Sequence, residues 1–253
     1  MSNTRLVLTN RAIGATLKNG TGGGAPALDE VSPYTMAKAL TADRWMPWQA
    51  TPGASPIQFD IDLGSALAVT CAGVHGFRSS AFAMGASTVN VMYATAYPGG
   101  PWTSAETFSM ISGPRDSGKT FASQSKRYWR FEIDHGGSSF TIGKFLLGVI
   151  TDLGAIHSPG GEQTPFRNRL ESAMPSGVIV ANDLGDPGMD FTLPFGLVTA
   201  AKRTTLQGMH LATGSFSLFD ADDGLYEVIL RNGRVPTRRV YLFDVDAELT
   251  RLP

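Results

Sequence analysis

Only one cysteine, Cys71, occurs among the 253 residues, so no disulfide can close within the chain. Charge is also scarce. Charged residues make up 17% and the formal net charge is −1, which leaves no basic footprint for nucleic acid or an anionic membrane. No apolar run approaches the roughly 20 residues that span a bilayer. The opening MSNTRLVLTNRAIG lacks the apolar centre of a signal peptide, and the sequon Asn19-Gly20-Thr21 matters only in a secretory pathway. These absences lead us to expect a soluble protein made in a reducing cytoplasm, with no nucleic-acid partner and no membrane insertion. The four histidines (His75, His135, His157 and His210) show no HxxxH spacing for a metal, and no GxSxG elbow occurs. The expectation is therefore a protein that is not an enzyme and uses no cofactor and no metal.

What is present favours short strands. Glycine contributes 29 residues and proline 15, against 42% hydrophobic content, a balance of turns and cores rather than long helices. The most informative stretch is Lys126–Gly148, KRYWRFEIDHGGSSFTIGKFLLG. Arg127, Trp129, Phe131 and Ile133 alternate with Tyr128, Arg130 and Glu132, the period of a strand with one buried face. A Gly136–Gly137 turn and a second apolar run, Ile142–Leu147, follow. Ile57–Leu63 alternates as well, with Ile57, Phe59, Ile61 and Leu63 on one face and Gln58, Asp60 and Asp62 on the other, and Gly64 ends it. Leu6–Leu8, Ala68–Phe77 and Val89–Tyr97 read as further strands, the last closed by the turn Pro98-Gly99-Gly100-Pro101 before Trp102. Leu40–Trp48 holds two tryptophans without a clean period.

Gly154–Pro165 (GAIHSPGGEQTP) has the composition of a linker. We therefore expect one domain over 1–153, a linker over 154–165 and a second domain over 166–253. In the second, Val178–Val180, Asp190–Leu197, Tyr226–Leu230 and Val240–Val245 read as strands, and Asn232-Gly233 is a strong hairpin signal. Thr199–Leu211 is the one expected helix, with Thr199 as its cap.

Residues from about 34 to 148 resemble the discoidin, or coagulation factor 5/8 C-type, galactose-binding-like domain. The matching text is Ala42-Asp43-Arg44-Trp45, then Phe59-Asp60-Ile61-Asp62-Leu63-Gly64, then Val89-Asn90-Val91-Met92-Tyr93 with Trp102. It continues with Lys126-Arg127-Tyr128-Trp129-Arg130-Phe131 and Ile142-Gly143-Lys144-Phe145-Leu146-Leu147-Gly148. The resemblance implies a jelly-roll β-sandwich whose loops at one end often bind glycans. Residues from about 164 to 253 look like the small β-sandwich-plus-helix domain of tailed-phage tail-tip and distal-tail proteins, matched in the order of strand, helix, hairpin and final strand at Asp244-Val245-Asp246-Ala247-Glu248-Leu249. Together the two imply a mainly β chain: a jelly-roll sandwich followed by a smaller β-sandwich with one helix.

Several patterns admit a sharper chemistry beside a plainer reading. Gly113-Pro114-Arg115-Asp116-Ser117-Gly118-Lys119-Thr120 fits the phosphate-cradling GxxxxGK[ST], and Val240–Asp244 resembles the acid-ended strand that accompanies it. That mechanism needs a helix directly after Lys119, whereas a strand follows closely; the plainer reading is a loop between sandwich strands. Cys71 and His75 suggest a thiol–imidazole pair, against a buried small residue and a strand-end histidine. Asp220-Ala221-Asp222-Asp223-Gly224 with Glu227 hints at calcium, against a turn. Asp60 and Asp62 suggest a carboxylate pair, against a solvated face. The candidate ligand-binding residues are Trp48, His75, Arg78, Tyr97 and Trp102, since sugar sites pair aromatic platforms with planar polar donors; the plainer fate of the tryptophans is burial.

The resulting expectation is a structural virion component of a phage tail tip or baseplate, synthesised in the host bacterial cytoplasm. Its partners are other tail proteins, in a homo-oligomeric ring or on the tail hub, with a host surface glycan as a further ligand. A charge-poor surface suits such contacts. The alternatives are a soluble carbohydrate-binding module, or lectin, and more remotely a P-loop nucleotidase.

Overall fold

A computed structural model describes residues 5–18, 33–42, 46–50, 56–79, 87–110, 116–135, 139–152, 163–166, 169–173, 179–183, 188–198, 204, 215–219, 224–234, 238–239 and 242–251. The chain is mostly β, as expected. Its first strands are β1 (Arg5–Val7), β2 (Thr16–Lys18), β3 (Trp48–Ala50), β4 (Ile57–His75), β5 (Arg78–Ser79) and β6 (Ser87–Ala94). There follow β7 (Thr103–Met110), β8 (Ser117–Asp134), β9 (Phe140–Ile142), β10 (Lys144–Gly148) and β11 (Thr151–Asp152). The remainder are β12 (Gln163–Phe166), β13 (Arg169–Ala173), β14 (Ile179–Asp183), β15 (Gly188–Val198), β16 (Phe216–Phe219), β17 (Leu225–Arg234), β18 (Arg238–Arg239) and β19 (Leu242–Arg251). Two compact units result. The larger comprises Leu6–Thr151 with Phe219–Leu225, and the other Met1–Arg5, Asp152–Leu218 and Tyr226–Pro253.

The larger unit is a β-sandwich, in keeping with the jelly-roll expectation. One sheet runs β10-β4-β8-β6-β7, with β2 added on β4, and the other runs β3-β9-β5. The pairings within both are antiparallel. The alternation read from sequence sets the inner face: Ile57, Phe59 and Ile61 of β4, Trp129, Phe131 and Ile133 of β8, and Val89 and Val91 of β6 are all buried. Trp48 joins the two sheets. Its ring centre lies 5.6 Å from Phe59 and 6.3 Å from Phe145 in the large sheet, and 5.2 Å from Phe140 in the small one. Phe145 in turn sits 4.4 Å from Phe59 and 4.3 Å from Phe131. Offset and edge contacts of this kind add about 0.5–1.5 kcal/mol each beyond the area they bury.

Three expectations about strands change. Ile57–Leu63 and the expected strand from Ala68 are one strand, β4, which ends at His75 before Phe77, and Gly64 does not end it. Gly64 adopts φ +79°, and the register with β8 shifts between Asp62 and Leu67, so the glycine permits a bulge. The apolar run Ile142–Leu147 is split at Gly143 between sheets, with Phe140–Ile142 in the small one and Lys144–Gly148 in the large one. β8 and β10 therefore flank β4 and do not pair with each other. A second small cluster, Val7, Cys71, Leu146, Phe219 and Leu225, packs on the other side of β4 and β10.

In the other unit β12-β15-β19-β17 form one sheet, with β18 on β19, and β13 pairs with β14. Asn232-Gly233 lies inside β17, facing Glu248 and Ala247 of β19, and is not a hairpin turn; the register shifts just before it. The reversal falls later, between Arg239 and Leu242, which face each other. Of the expected linker, Gln163, Thr164 and Pro165 belong to β12, and 154–162 lie outside the described residues, as do the Gly136–Gly137 turn and Trp45. So does the helix expected over Thr199–Leu211, except for Thr204, which is helical.

Candidate ligand-binding face

The outer face of the large sheet carries side chains that the strand register brings together. Asp60 of β4 faces Arg130 of β8, and Asp62 faces Tyr128. On the flanks, Lys18 of β2 faces Asp60, while Met92 and Ala94 of β6 face Arg130 and Tyr128. Arg130 donates from Nε and Nη2 to the two Asp60 oxygens at 2.6 and 2.8 Å, and both side chains are buried. Arg127 forks onto Asp62 in the same way, at 2.7 and 2.9 Å, but stays 44% exposed. The plainer expectation for Asp60 and Asp62, a solvated face, is thus corrected: both are buried, each on an arginine. Asp60 and Asp62 are therefore not a free carboxylate pair for acid–base chemistry either.

A loop roofs this pair. Between β6 and β7 the chain turns through Tyr97, Pro98, Gly99 and Gly100 to Trp102. The Trp102 ring lies over the Arg130 guanidinium, 4.2 Å from Cζ to ring centre. Tyr97 packs on Tyr128, with ring centres 5.6 Å apart, and Arg127 lies 5.0 Å from the Tyr128 ring centre. Burial, and next the nearby Asp60 carboxylate, push the Tyr97 phenol above its ordinary value of 10.0, so it remains a neutral donor and acceptor at neutral pH. The Arg127 hydrogen bonds hold the Asp62 carboxyl below its ordinary 3.8 against the opposing effect of burial. A run of aromatic rings over fixed guanidinium groups results: Trp102 on Arg130, Tyr97 on Tyr128, Tyr128 beside Arg127. Trp102, Tyr97 and Tyr128 are half-buried, so each keeps a surface toward solvent.

Of the five candidate residues, Tyr97 and Trp102 belong to this face. Trp48 is a core residue with no exposed surface. Its strand has only three residues and no period to reveal it. His75, the last residue of β4, is buried as well, with Nδ1 3.4 Å from Asp116 Oδ1. Asp116 accepts the Gly76 N–H at 2.9 Å, and the His75 carbonyl accepts the Gly143 N–H at 2.9 Å, so this corner ties strand ends together. Cys71 and His75 are four residues apart on one strand, about 13 Å, too far for a thiol–imidazole pair. Arg78 is exposed on β5, facing Thr141 of the small sheet. Arg127, Tyr128 and Arg130 are not among the residues that the sequence singles out, although the alternation of Lys126–Gly148 sets Tyr128 and Arg130 opposite Trp129 and Phe131.

The P-loop reading fails on local structure. Lys119 and Thr120 lie within β8, where Lys119 faces Ala72 of β4, and the strand continues to Asp134 with no helix to aim N–H groups at a phosphate. Of the calcium hint, Asp220–Asp223 lie outside the described residues. Glu227 is buried and accepts a short hydrogen bond from the Ser215 hydroxyl.

No family model and no curated protein matches the chain. Solved structures do. A chitosan-binding module from a Paenibacillus sp. IK-5 chitosanase/glucanase is 15% identical with a TM-score of 0.43, covering 59% of this chain and 100% of the module. The lectin binding domain of Lectinolysin, complexed with Lewis b, is 14% identical with a TM-score of 0.41, covering 56% and 97%. A Streptococcus pneumoniae fucose binding module is 12% identical with a TM-score of 0.43, covering 55% and 94%. None of the three is a tail protein, and nothing among these comparisons supports the virion role expected of the chain. Likeness at this level carries no argument about what this chain binds.

Proposed function

We propose that the larger unit is a non-catalytic carbohydrate-binding module and that its ligand lies on the outer face of the large sheet. The observation that carries this reading is the seating of Trp102 on the buried Asp60–Arg130 pair. A sugar ring has an apolar face of C–H groups and a rim of hydroxyls. It needs a flat apolar surface that does not yield, with polar donors beside it. Trp102 presents one ring face to Arg130, so its other face is the one a sugar can stack on. Arg130 cannot withdraw, because Asp60 holds it by two hydrogen bonds. The three N–H groups of Arg127 not used on Asp62 are available for ring hydroxyls.

A glycan array on the full chain, followed by calorimetry with the best binder, tests this. Wild type binds; Trp102→Ala loses at least about tenfold in affinity while keeping its melting temperature within a few degrees, the scale of one lost stacking contact. A protein that binds no glycan at millimolar ligand is not a carbohydrate-binding module.

A further inference from the structure

The charges on the ledge are not evenly spread. Asp60 and Arg130 neutralise each other at its centre. Toward one end stands Glu132, two residues beyond Arg130 on β8, where it accepts a hydrogen bond from Gln58 at 3.1 Å. Toward the other end two cations share one carboxylate. Arg127 forks onto Asp62, and Lys18 Nζ lies 3.9 Å from Asp62 Oδ2. Two positive groups and one negative leave a local excess of one positive charge.

These cations are available. The Lys18 side chain is 39% exposed and that of Arg127 44%. At 3.9 Å Lys18 is beyond hydrogen-bond range of Asp62, so that contact consumes none of its three N–H donors. Arg127 spends two of five donors on Asp62. Its position is fixed, because Asp62 also accepts the Gly64 N–H at 2.8 Å and cannot swing away. A planar guanidinium already held in place, beside an ammonium, is the arrangement that receives a carboxylate or sulfate at little ordering cost.

The same end joins the aromatic ledge. Arg127 lies against Tyr128, Tyr128 against Tyr97, and Arg130 under Trp102. Tyr128 and Arg130 are two residues apart on one strand, about 7 Å, so a ligand of about two or three sugar rings reaches from Trp102 to Arg127. From this, and resting on the carbohydrate reading above, we infer that the ligand is an acidic oligosaccharide. Its ring stacks on Trp102, and the carboxylate of a neighbouring acidic residue seats on Arg127 and Lys18. Glu132 fixes the polarity of binding by repelling the acid from the opposite end.

The experiment uses the full chain with trimers of galacturonate and glucuronate, the methyl ester of each, and a panel of neutral glycans. Esterification leaves the ring and removes the charge. At low salt an acid trimer binds about tenfold tighter than its ester, the scale of one charge-assisted contact. Raising the ionic strength narrows that gap, because Arg127 and Lys18 are exposed to screening. Lys18→Gln weakens the acid several-fold and leaves ester binding unchanged, and Arg127→Gln weakens the acid more than the ester. Lys18→Gln breaks no hydrogen bond to Asp62, so it reads the contact even if Arg127→Gln perturbs the fold. Equal binding of acid and ester, an acid affinity unmoved by Lys18→Gln, or binding of neutral glycans alone overturns the acidic-ligand inference and leaves the carbohydrate reading standing. Binding of no acid, ester or neutral glycan overturns both.

Discussion

Asp60 and Arg130 face each other in register across β4 and β8, and their side chains close a two-pronged ion pair that is buried on both sides. Such a pair offsets its desolvation only while both members are present. Arg130→Met leaves a buried carboxylate without its partner and costs about 3–5 kcal/mol. Replacing both, Asp60→Leu with Arg130→Met, costs far less, because no charge is left behind. Urea unfolding of the two single variants and the double variant checks this, and additive single-site losses would show that the pair does not act as a unit.

Trp48 and Trp102 respond oppositely to truncation. Trp48 touches Phe59, Phe140 and Phe145 between the sheets, so Trp48→Ala opens a cavity and costs about 3–5 kcal/mol. Trp48→Phe costs much less, since it keeps a ring there and removes an indole N–H that has no acceptor among the described residues. Whatever remains folded binds ligand normally. Trp102→Ala does the reverse, sparing stability and losing affinity. Parallel denaturation and binding titrations on these variants separate core from site.

Acid weakens the Asp62–Arg127 contact in a defined window. The Asp62 carboxyl titrates lower in the folded protein than its ordinary 3.8, chiefly through the Arg127 hydrogen bonds. A lowered folded value means that the unfolded chain takes up the proton first. The contribution to stability is therefore whole above the ordinary value and is lost as pH falls through the folded one. Urea midpoints of wild type and Arg127→Gln differ at pH 6 and converge below pH ~3.8. A gap that stayed constant down to the acid limit would remove Asp62 as its source. Arg127 stays exposed to solvent, so the gap at pH 6 is small and narrows further as salt is added.

The outer face was half legible. Period-two alternation in Ile57–Leu63 and Lys126–Ile133 assigned each side chain to a face, and the strands obey it except at Arg127, which the pattern sets with Trp129 but which reaches Asp62 where the β4–β8 register shifts. It said nothing of what covers the outward side, so Asp60 and Asp62 read as solvated. Their burial comes from residues far along the chain: Arg130 is 70 residues from Asp60 and meets it only through the β4–β8 register. Trp102 arrives on a hairpin that itself pairs with β8 through β6. Local pattern carries strand identity and facing. Partner strand and register are set by the whole sandwich, and Trp48, in a strand of three residues, has too short a pattern to read.

The loop that sets Trp102 over Arg130 depends on backbone without side chains. Gly99 holds φ +105°, a region L residues rarely adopt. At Gly100 the obstacle is space: a Cβ there would lie 2.6 Å from the Ala96 carbonyl oxygen and 3.2 Å from the Ala96 nitrogen. Both are backbone atoms, so no rotamer change relieves the contact and the turn itself must open. Gly100→Ala therefore displaces Tyr97 and Trp102 together from Tyr128 and Arg130. The sandwich core lies on the other face of the sheet and is untouched, so the cost to global stability is about 1–3 kcal/mol, the scale of overpacking. Binding suffers more than stability, because the Trp102 platform and the Tyr97 ring move at once. The expected result is a folded protein with affinity reduced as far as in Trp102→Ala, and near-ultraviolet circular dichroism altered in the tryptophan and tyrosine bands. A variant that keeps wild-type affinity would place the ligand away from this loop, and with it away from Trp102.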